Sequence, residues 1–278
     1  MKTWFITGAS RGFGRQVTIE ALRRGDKVAA TARQPGALDD LVAAYPDVLL
    51  PLTLDVTDQA AVVRAVSAAQ QRFGAIDVLF NNAGIGYFAA VEESDDVEVR
   101  HMLEVNLFAL ANVTKAVLPG MRKRRSGTIL NASSLAGTRA FQGVGWYCAS
   151  KFAVEGLSEA LEQEVAPLGI RVVLIEPSAF STDWAGNSAS EVAPADEIAD
   201  YAATAGAQRR AIRRGAGSEP GDPAKAARII VSVAHDPAPP RRLPLGNFAY
   251  DALLSKLDQV RIDIALREAL SRSADRIG

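Results

Sequence analysis

Short apolar runs alternate along this chain with longer stretches whose apolar positions recur at helical spacing. The runs fall near residues 3–7, 27–31, 48–54, 77–81, 127–132 and 171–176 and have the β-prone composition of buried strands. After the first, Val17, Ile19, Ala21 and Leu22 mark the apolar side of an amphipathic helix. Repeated strand–helix units predict a parallel sheet covered on both faces, with right-handed crossovers: a doubly wound, three-layer α/β/α fold. Ligands of such sheets bind beyond the carboxyl ends of the strands.

The pattern changes after Thr182. Residues 183–221 are rich in Ala, Gly, Ser and charge, with a helix expected around Ala195–Arg214, and read as an inserted substrate lid. A proline-rich passage, Asp236 to Asn247, leaves room for a last strand at Arg242–Leu245. Residues 249–271 then read as a helix with Leu253, Leu254, Leu257, Val260, Ile264 and Leu266 on one broad face, which packs on the fold or on a second subunit. The 278 residues suit a single domain, with 246–278 as a C-terminal helical extension.

Charge narrows the partners. With 31 basic and 32 acidic residues the net charge is −1, so no global field favours nucleic acid or an anionic membrane. The basic run Arg122–Arg125 reads as the complement of a helix dipole at a C-terminus. No apolar stretch reaches the ~18 residues of a membrane span, and the opening MKTWFITG is short for a signal peptide, so a cytoplasmic location is expected. Cys148 is the only cysteine and forms no internal disulfide; a small buried hydrophobe is its expected role. His101 and His235 lack companions at metal-ligand spacing, so no metal is expected.

Two stretches carry chemistry. In the first, Gly8, Gly12 and Gly14 form a glycine turn between strand and helix, where backbone approaches a pyrophosphate held by open helix N–H groups. In the second, Tyr147 and Lys151 stand four apart, on one side of a helix, and Ser134 lies thirteen residues before Tyr147. A lysine near a phenol favours the phenolate, which makes Tyr147 a general acid/base, and the Ser134 hydroxyl can bond the same reacting oxygen. Beyond the second run, Ala32 stands where an acid would bind a ribose 2′-hydroxyl. Arg33 follows it and Arg11 lies in the glycine turn, a pair suited to a 2′-phosphate and hence to NADP(H) over NAD(H).

With Asp55-Val56 after the third run, Asn81-Asn82-Ala83-Gly84 after the fourth and Asn106 in a long helix, the motifs stand in one order. Over most of residues 1–250 the chain resembles the short-chain dehydrogenase/reductase family in its non-extended branch, with a Rossmann-type fold. The whole-chain pattern, including LPLG at 243–246, is similar to members related to steroid and retinol dehydrogenases and bacterial oxidoreductases. The resemblance implies a catalytic tetrad of Asn106, Ser134, Tyr147 and Lys151, with Asn106 holding a water for proton relay and Lys151 also bonding the nicotinamide ribose. It implies dinucleotide contacts from Gly8, Ser10, Arg11, Gly12, Phe13 and Gly14, from Arg33, and from Asp55 and Val56 around the adenine. Asn82, Ala83 and Gly84 would follow, and Pro177 and Thr182 at the carboxamide. Ser178 stands where the family usually has glycine, which puts the geometry of that turn and the width of the pocket at issue.

The expected reaction is NADP(H)-dependent interconversion of a ketone or aldehyde and an alcohol, as in carbonyl reductases and alcohol dehydrogenases. Substrate walls are expected from Ser134, Leu135, Phe141, Gln142 and Trp184, and the assembly is expected to be a homodimer or homotetramer. A non-catalytic NADP(H) sensor of the same fold is the alternative.

Overall fold

A computed structural model describes residues 1–276 except 35, 183, 185, 187–188 and 192–195. In chain order it runs β1 (Thr3–Ile6), α1 (Gly12–Arg23), β2 (Lys27–Ala32), α2 (Asp39–Ala44), β3 (Leu49–Thr53), α3 (Gln59–Phe73) and β4 (Val78–Asn81). A short β5 (Gly86–Phe88) and α4 (Asp96–Leu103) follow, then a π-helical turn at Glu104–Phe108, α5 (Ala109–Arg124) and β6 (Gly127–Ala132). Next come α6 (Gly145–Val165), β7 (Ile170–Pro177), β8 (Ala189–Glu191), α7 (Ala207–Gly215), α8 (Pro223–His235), β9 (Arg242–Leu245), α9 (Asn247–Ala265) and α10 (Glu268–Arg272).

Seven strands form one sheet in the order β3-β2-β1-β4-β6-β7-β9, every neighbouring pair parallel. The order reverses at β1, and helices cover both faces. Successive side chains of β1 show why the strands read as continuous apolar runs. Trp4 and Ile6 enter one layer with Val28, Phe80, Val173 and, from α1 and α8, Val17 and Ile230. Phe5 enters the other with Leu79, Ile129 and, from α3 and α5, Val62, Val113 and Val117. Each large buried side chain contributes about 1.5–3 kcal/mol.

The structure differs from the sequence expectation in three places. β5 and β8 pair as a second, two-stranded parallel sheet, Gly86 opposite Ala189; at three residues each they are too short to show periodicity. The helix expected from Ala195 begins later: that residue lies outside the described residues, a 3₁₀ turn occupies Ala199–Tyr201 and a π turn Ala202–Gly206, and regular helix starts at Ala207. The helix expected over 249–271 breaks at Ala265, the end of α9, with α10 separate after it, and the apolar face of α9 is only thinly covered. Ala249 and Ala252 are buried and Leu253 packs on Leu135, whereas Leu254, Leu257, Ile264 and Leu266 stay exposed. Among the described residues no helix is long and apolar enough to cross a membrane, and no group of three or more potential ligands could hold a metal ion.

Candidate active site

The carboxyl ends of β1, β4, β6 and β7 open on a cavity of about 620 Å³. Most of the motif residues reach it: Gly8, Ser10, Arg11 and Phe13; Ala32 and Arg33; Asp55 and Val56; Asn82, Ala83 and Gly84; Ser134, Tyr147 and Lys151; Pro177 and Thr182.

The glycine turn is locked to the end of β4. Asn82 Nδ2 donates to the carbonyls of Thr7 and Gly8, both at 3.0 Å, while Thr7 Oγ1 accepts from the backbone N–H groups of Asn82 and Ala83. Gly14 sits beneath that knot. A Cβ there would lie 2.3 Å from Gly8 O and 2.5 Å from Asn82 Nδ2, so no larger residue fits. Gly12 and Gly14 thus shape the floor of the turn without themselves lining the cavity. The N-cap residue Arg11 gives α1 no capping side-chain bond and the first turn holds no acid, which leaves the positive dipole end toward the cavity. That arrangement fits a pyrophosphate.

Where Arg33 and Asp55 line the cavity they are close enough to interact electrostatically, and Asp55 is held by Thr57 N and Oγ1 at 2.9 and 2.8 Å. The Thr57 backbone bond is the main reason its carboxyl titrates below the usual range. His101 also faces this part of the cavity, a residue set aside above on metal spacing alone. Ser178 causes no strain: Arg125 is the only non-glycine at positive φ among the described residues. The Ser178 N–H and hydroxyl both donate to Leu245 O, at 3.1 and 3.3 Å.

Ser134 lies two residues beyond the end of β6 and caps a 3₁₀ turn, where its Oγ accepts from Ala136 N at 3.1 Å. Its side chain also hydrogen-bonds Tyr147. Tyr147, in the first turn of α6, is 7% exposed. Burial pushes its phenol well above the ordinary value, and the bond from Ser134 works in the opposite direction. Lys151 Nζ donates to Ala132 O at 2.7 Å and lies 5.8 Å from the centre of the Tyr147 ring. Burial lowers its ammonium to about 8, opposed by the negative charge of Glu155. The lowered phenol expected from the Tyr147–Lys151 spacing is therefore not what this site gives. Desolvation outweighs it, and the opposing interaction comes from Ser134.

Asn106 is carried in the π-helical turn before α5. Its Nδ2 donates to Ile85 O at 2.9 Å and Ser150 Oγ at 3.1 Å, and its Oδ1 accepts from Ile85 N at 2.8 Å. One amide hydrogen and the carbonyl oxygen thus hold Ile85, just after Gly84, and the other hydrogen ties the turn to Ser150 on α6. The extra residue of the π turn accompanies this inward placement of a polar side chain, as such bulges do at functional sites.

Beyond Tyr147 the wall is apolar. Leu135, Phe141 and Trp184 line it as expected. Gln142 does not: it is exposed, because Val144 bridges Ala89 and turns inward in its place. Ile212, Ala211 and Gln208 of α7, inside the segment read as a lid, and Phe248 of α9 also line the cavity; no local motif announces the approach of Phe248. The segment around α7 is tied to the loop after β5. Arg209, 3% exposed, pairs with Glu93 and Glu197, Ile198 N donates to Glu93 Oε1 at 2.8 Å, and Tyr201 donates to Glu92 at 2.6 Å.

This fold and cavity define a dinucleotide-binding α/β protein of the oxidoreductase type. The family model of the short chain dehydrogenases matches residues 2–193, and the chain belongs to that family. It is 43% identical over 251 residues to the oxidoreductase BOA17 of Botryotinia fuckeliana, covering 90% of each chain. A solved short-chain dehydrogenase from Streptomyces avermitilis superposes with a TM-score of 0.92 at 42% identity, covering 99% of this chain and 100% of that one. Two more distant solved relatives carry different dinucleotides. An alcohol dehydrogenase from Thermococcus sibiricus (26% identity, TM-score 0.72, 88% and 96% covered) is complexed with 5-hydroxy-NADP. A short chain dehydrogenase/reductase from Burkholderia phymatum (25% identity, TM-score 0.81, 96% and 95% covered) is complexed with NAD. The chain is thus an oxidoreductase of a nicotinamide-dependent family.

Proposed function

We propose that the protein interconverts a ketone or aldehyde and an alcohol with NADP(H), Tyr147 serving as general acid/base. The observation that carries the reading is that Ser134, Tyr147 and Lys151 line the same cavity as the glycine turn. When bound, the nicotinamide supplies or accepts a hydride.

The chain's residues do the rest. Tyr147, a phenol whose burial raises its pKa further, gives its proton to the carbonyl oxygen in reduction and takes it back in oxidation. Ser134 donates to the same oxygen and offsets its growing negative charge. Lys151 faces the phenol ring, and its ammonium stabilises the phenolate that forms as the proton leaves. Asn106 keeps Ile85 and Ser150 in place around that chain, and so supports the relay through position. Gly8, Ser10, Arg11, Phe13, Asn82, Ala83 and Gly84 hold the dinucleotide, with Pro177 and Thr182 at its carboxamide.

Arg33 and Arg11 support NADP(H), since Ala32 offers the ribose no acid and Arg33 lines the cavity beside it. The apolar wall of Leu135, Phe141, Trp184 and Ile212 supports a medium-sized, partly apolar substrate, with residues 183–221 as its lid. A single domain, a cytoplasmic location and a homo-oligomer complete the proposal; the exposed apolar side of α9 supports the last.

Turnover of NADPH against a panel of carbonyl compounds tests the reading. Tyr147-dependent oxidation is the expected result, whereas tight NADPH binding with no turnover of any substrate would favour a dinucleotide sensor.

A further inference from the structure

Outside the cavity wall, behind the Ser134 turn, lies a buried cluster of charge that the proposed reaction does not use. Arg242 Nη1 donates to Glu155 Oε2 at 2.7 Å and to Glu176 Oε1 at 2.5 Å, and its Nη2 pairs with Glu159. Glu155 is 5% exposed and Glu176 fully buried. Their remaining oxygens, Glu155 Oε1 and Glu176 Oε2, are buried and make no hydrogen bond of ordinary geometry among the described residues, although the Ser133 side chain lies beside Glu155. Both acids accept from the same nitrogen, Arg242 Nη1, which sets the two buried carboxyl groups side by side with one guanidinium between them. Two carboxylates in one buried site repel, which favours a proton on one of them.

The cluster touches the site from behind. Glu155 is one helical turn from Lys151 on α6, and its charge acts on that ammonium. Thr138 donates to Glu176 Oε1 at 3.2 Å. The turn that begins at Ser134 rests on the pair so closely that a Cβ on Gly137 would lie 2.9 Å from Glu155 Cγ and 2.5 Å from Ser133 Oγ. The charged groups facing the acids are Lys151 and Glu159 from α6 and Arg242 from β9, with Ser133 and Thr138 as neutral neighbours.

We propose that Glu155 and Glu176 share one proton and act as positioning residues: they support the turn carrying Ser134, and loss of their proton adds a negative charge that holds Lys151 in its ammonium form. Burial and the adjoining Glu176 push Glu155 up to about 7, burial raises Glu176 too, and Lys151 titrates at about 8. The added charge thus arrives just before Lys151 begins to lose its own proton. The inference rests on the reading of Lys151 as the partner of Tyr147.

Isotope-edited infrared spectroscopy of the full chain with labelled glutamate tests the shared proton without turnover. The expected result is a protonated-carboxyl band at mildly acidic pH that fades as pH rises through about 7 and is absent in E155Q and E176Q. The pH profile of carbonyl reduction tests the link to Lys151. E155Q should move the Lys151-governed limb down by about one pH unit, the low end of the effect of a close opposite charge. A wild-type protein with no such band, or a band that both variants keep, overturns the shared proton. An unmoved limb in E155Q overturns the link to Lys151. If E176Q does not fold, E155Q carries both readouts. If the wild type reduces no carbonyl compound, the reaction assigned above fails and the link to Lys151 fails with it, while the infrared band still decides the shared proton.

Discussion

The indole of Trp184 lies 4.9 Å from the phenol ring of Tyr147, centre to centre, with the ring planes tilted by 50°. Trp184 also meets Phe88 edge-on at 5.4 Å, so one aromatic side chain links the β5 segment to the proposed proton carrier. Such pairs contribute about 0.5–1.5 kcal/mol each beyond the area they bury. Trp184→Ala should therefore raise KM for bulky apolar carbonyl compounds by about tenfold while NADPH affinity stays within about twofold. Steady-state kinetics beside a dinucleotide titration checks this, and equal losses in both would remove Trp184 from the substrate wall.

The dinucleotide choice turns on Arg33. A charge-assisted hydrogen bond is worth about 1.5–3 kcal/mol, so Arg33→Ala should weaken NADPH binding by roughly tenfold to a hundredfold and leave NADH nearly unchanged. Calorimetric titration with both dinucleotides measures it. Parallel losses for the two would mean that Arg33 does not read the 2′-phosphate.

Gly14→Ala is expected to break the glycine turn itself. The added methyl falls on Gly8 O and Asn82 Nδ2, so either the turn opens or the Asn82 knot comes apart. Overpacking of this kind costs about 1–3 kcal/mol, and loss of dinucleotide binding should exceed the loss of thermal stability. Tm and NADPH affinity measured on the same sample separate the two.

Far from the cavity, Asp26 ties the start of β1 to the end of α8. Burial alone would raise its carboxyl, but bonds from Lys2 N at 2.8 Å and Trp4 Nε1 at 2.9 Å, with His235 Nε2 at 2.6 Å, hold it below its ordinary value. A folded-state value below the unfolded one gives stability that is full above the unfolded value of about 4 and disappears as pH falls through the folded one. Asp26→Asn should cost about 2–3 kcal/mol at neutral pH, with the gap from wild type closing in acid. Urea unfolding across that range shows whether the gap closes.

Much of the site was legible because its chemistry demands residue types at short, fixed spacings. Gly8 to Gly14, Asn82 to Gly84 and Tyr147 with Lys151 each lie within one turn or one helix face, so their spacing survives folding. What the residues did not disclose depends on contacts between distant segments. Gln142 looked like a wall residue until the Val144 bridge to Ala89 turned it outward. The β5–β8 pair joins segments about a hundred residues apart, and Arg242 reaches Glu155 across 87 positions. The raised Tyr147 phenol is a further case: spacing names its neighbour, but only the packed environment sets the size of the desolvation that wins.

The most direct test compares wild type with Tyr147→Phe, following NADPH oxidation against the carbonyl panel and NADPH binding on the same preparations. Loss of general acid catalysis should lower kcat by roughly a hundredfold to ten-thousandfold with Kd for NADPH within about threefold. Turnover that persists in Tyr147→Phe would contradict the account.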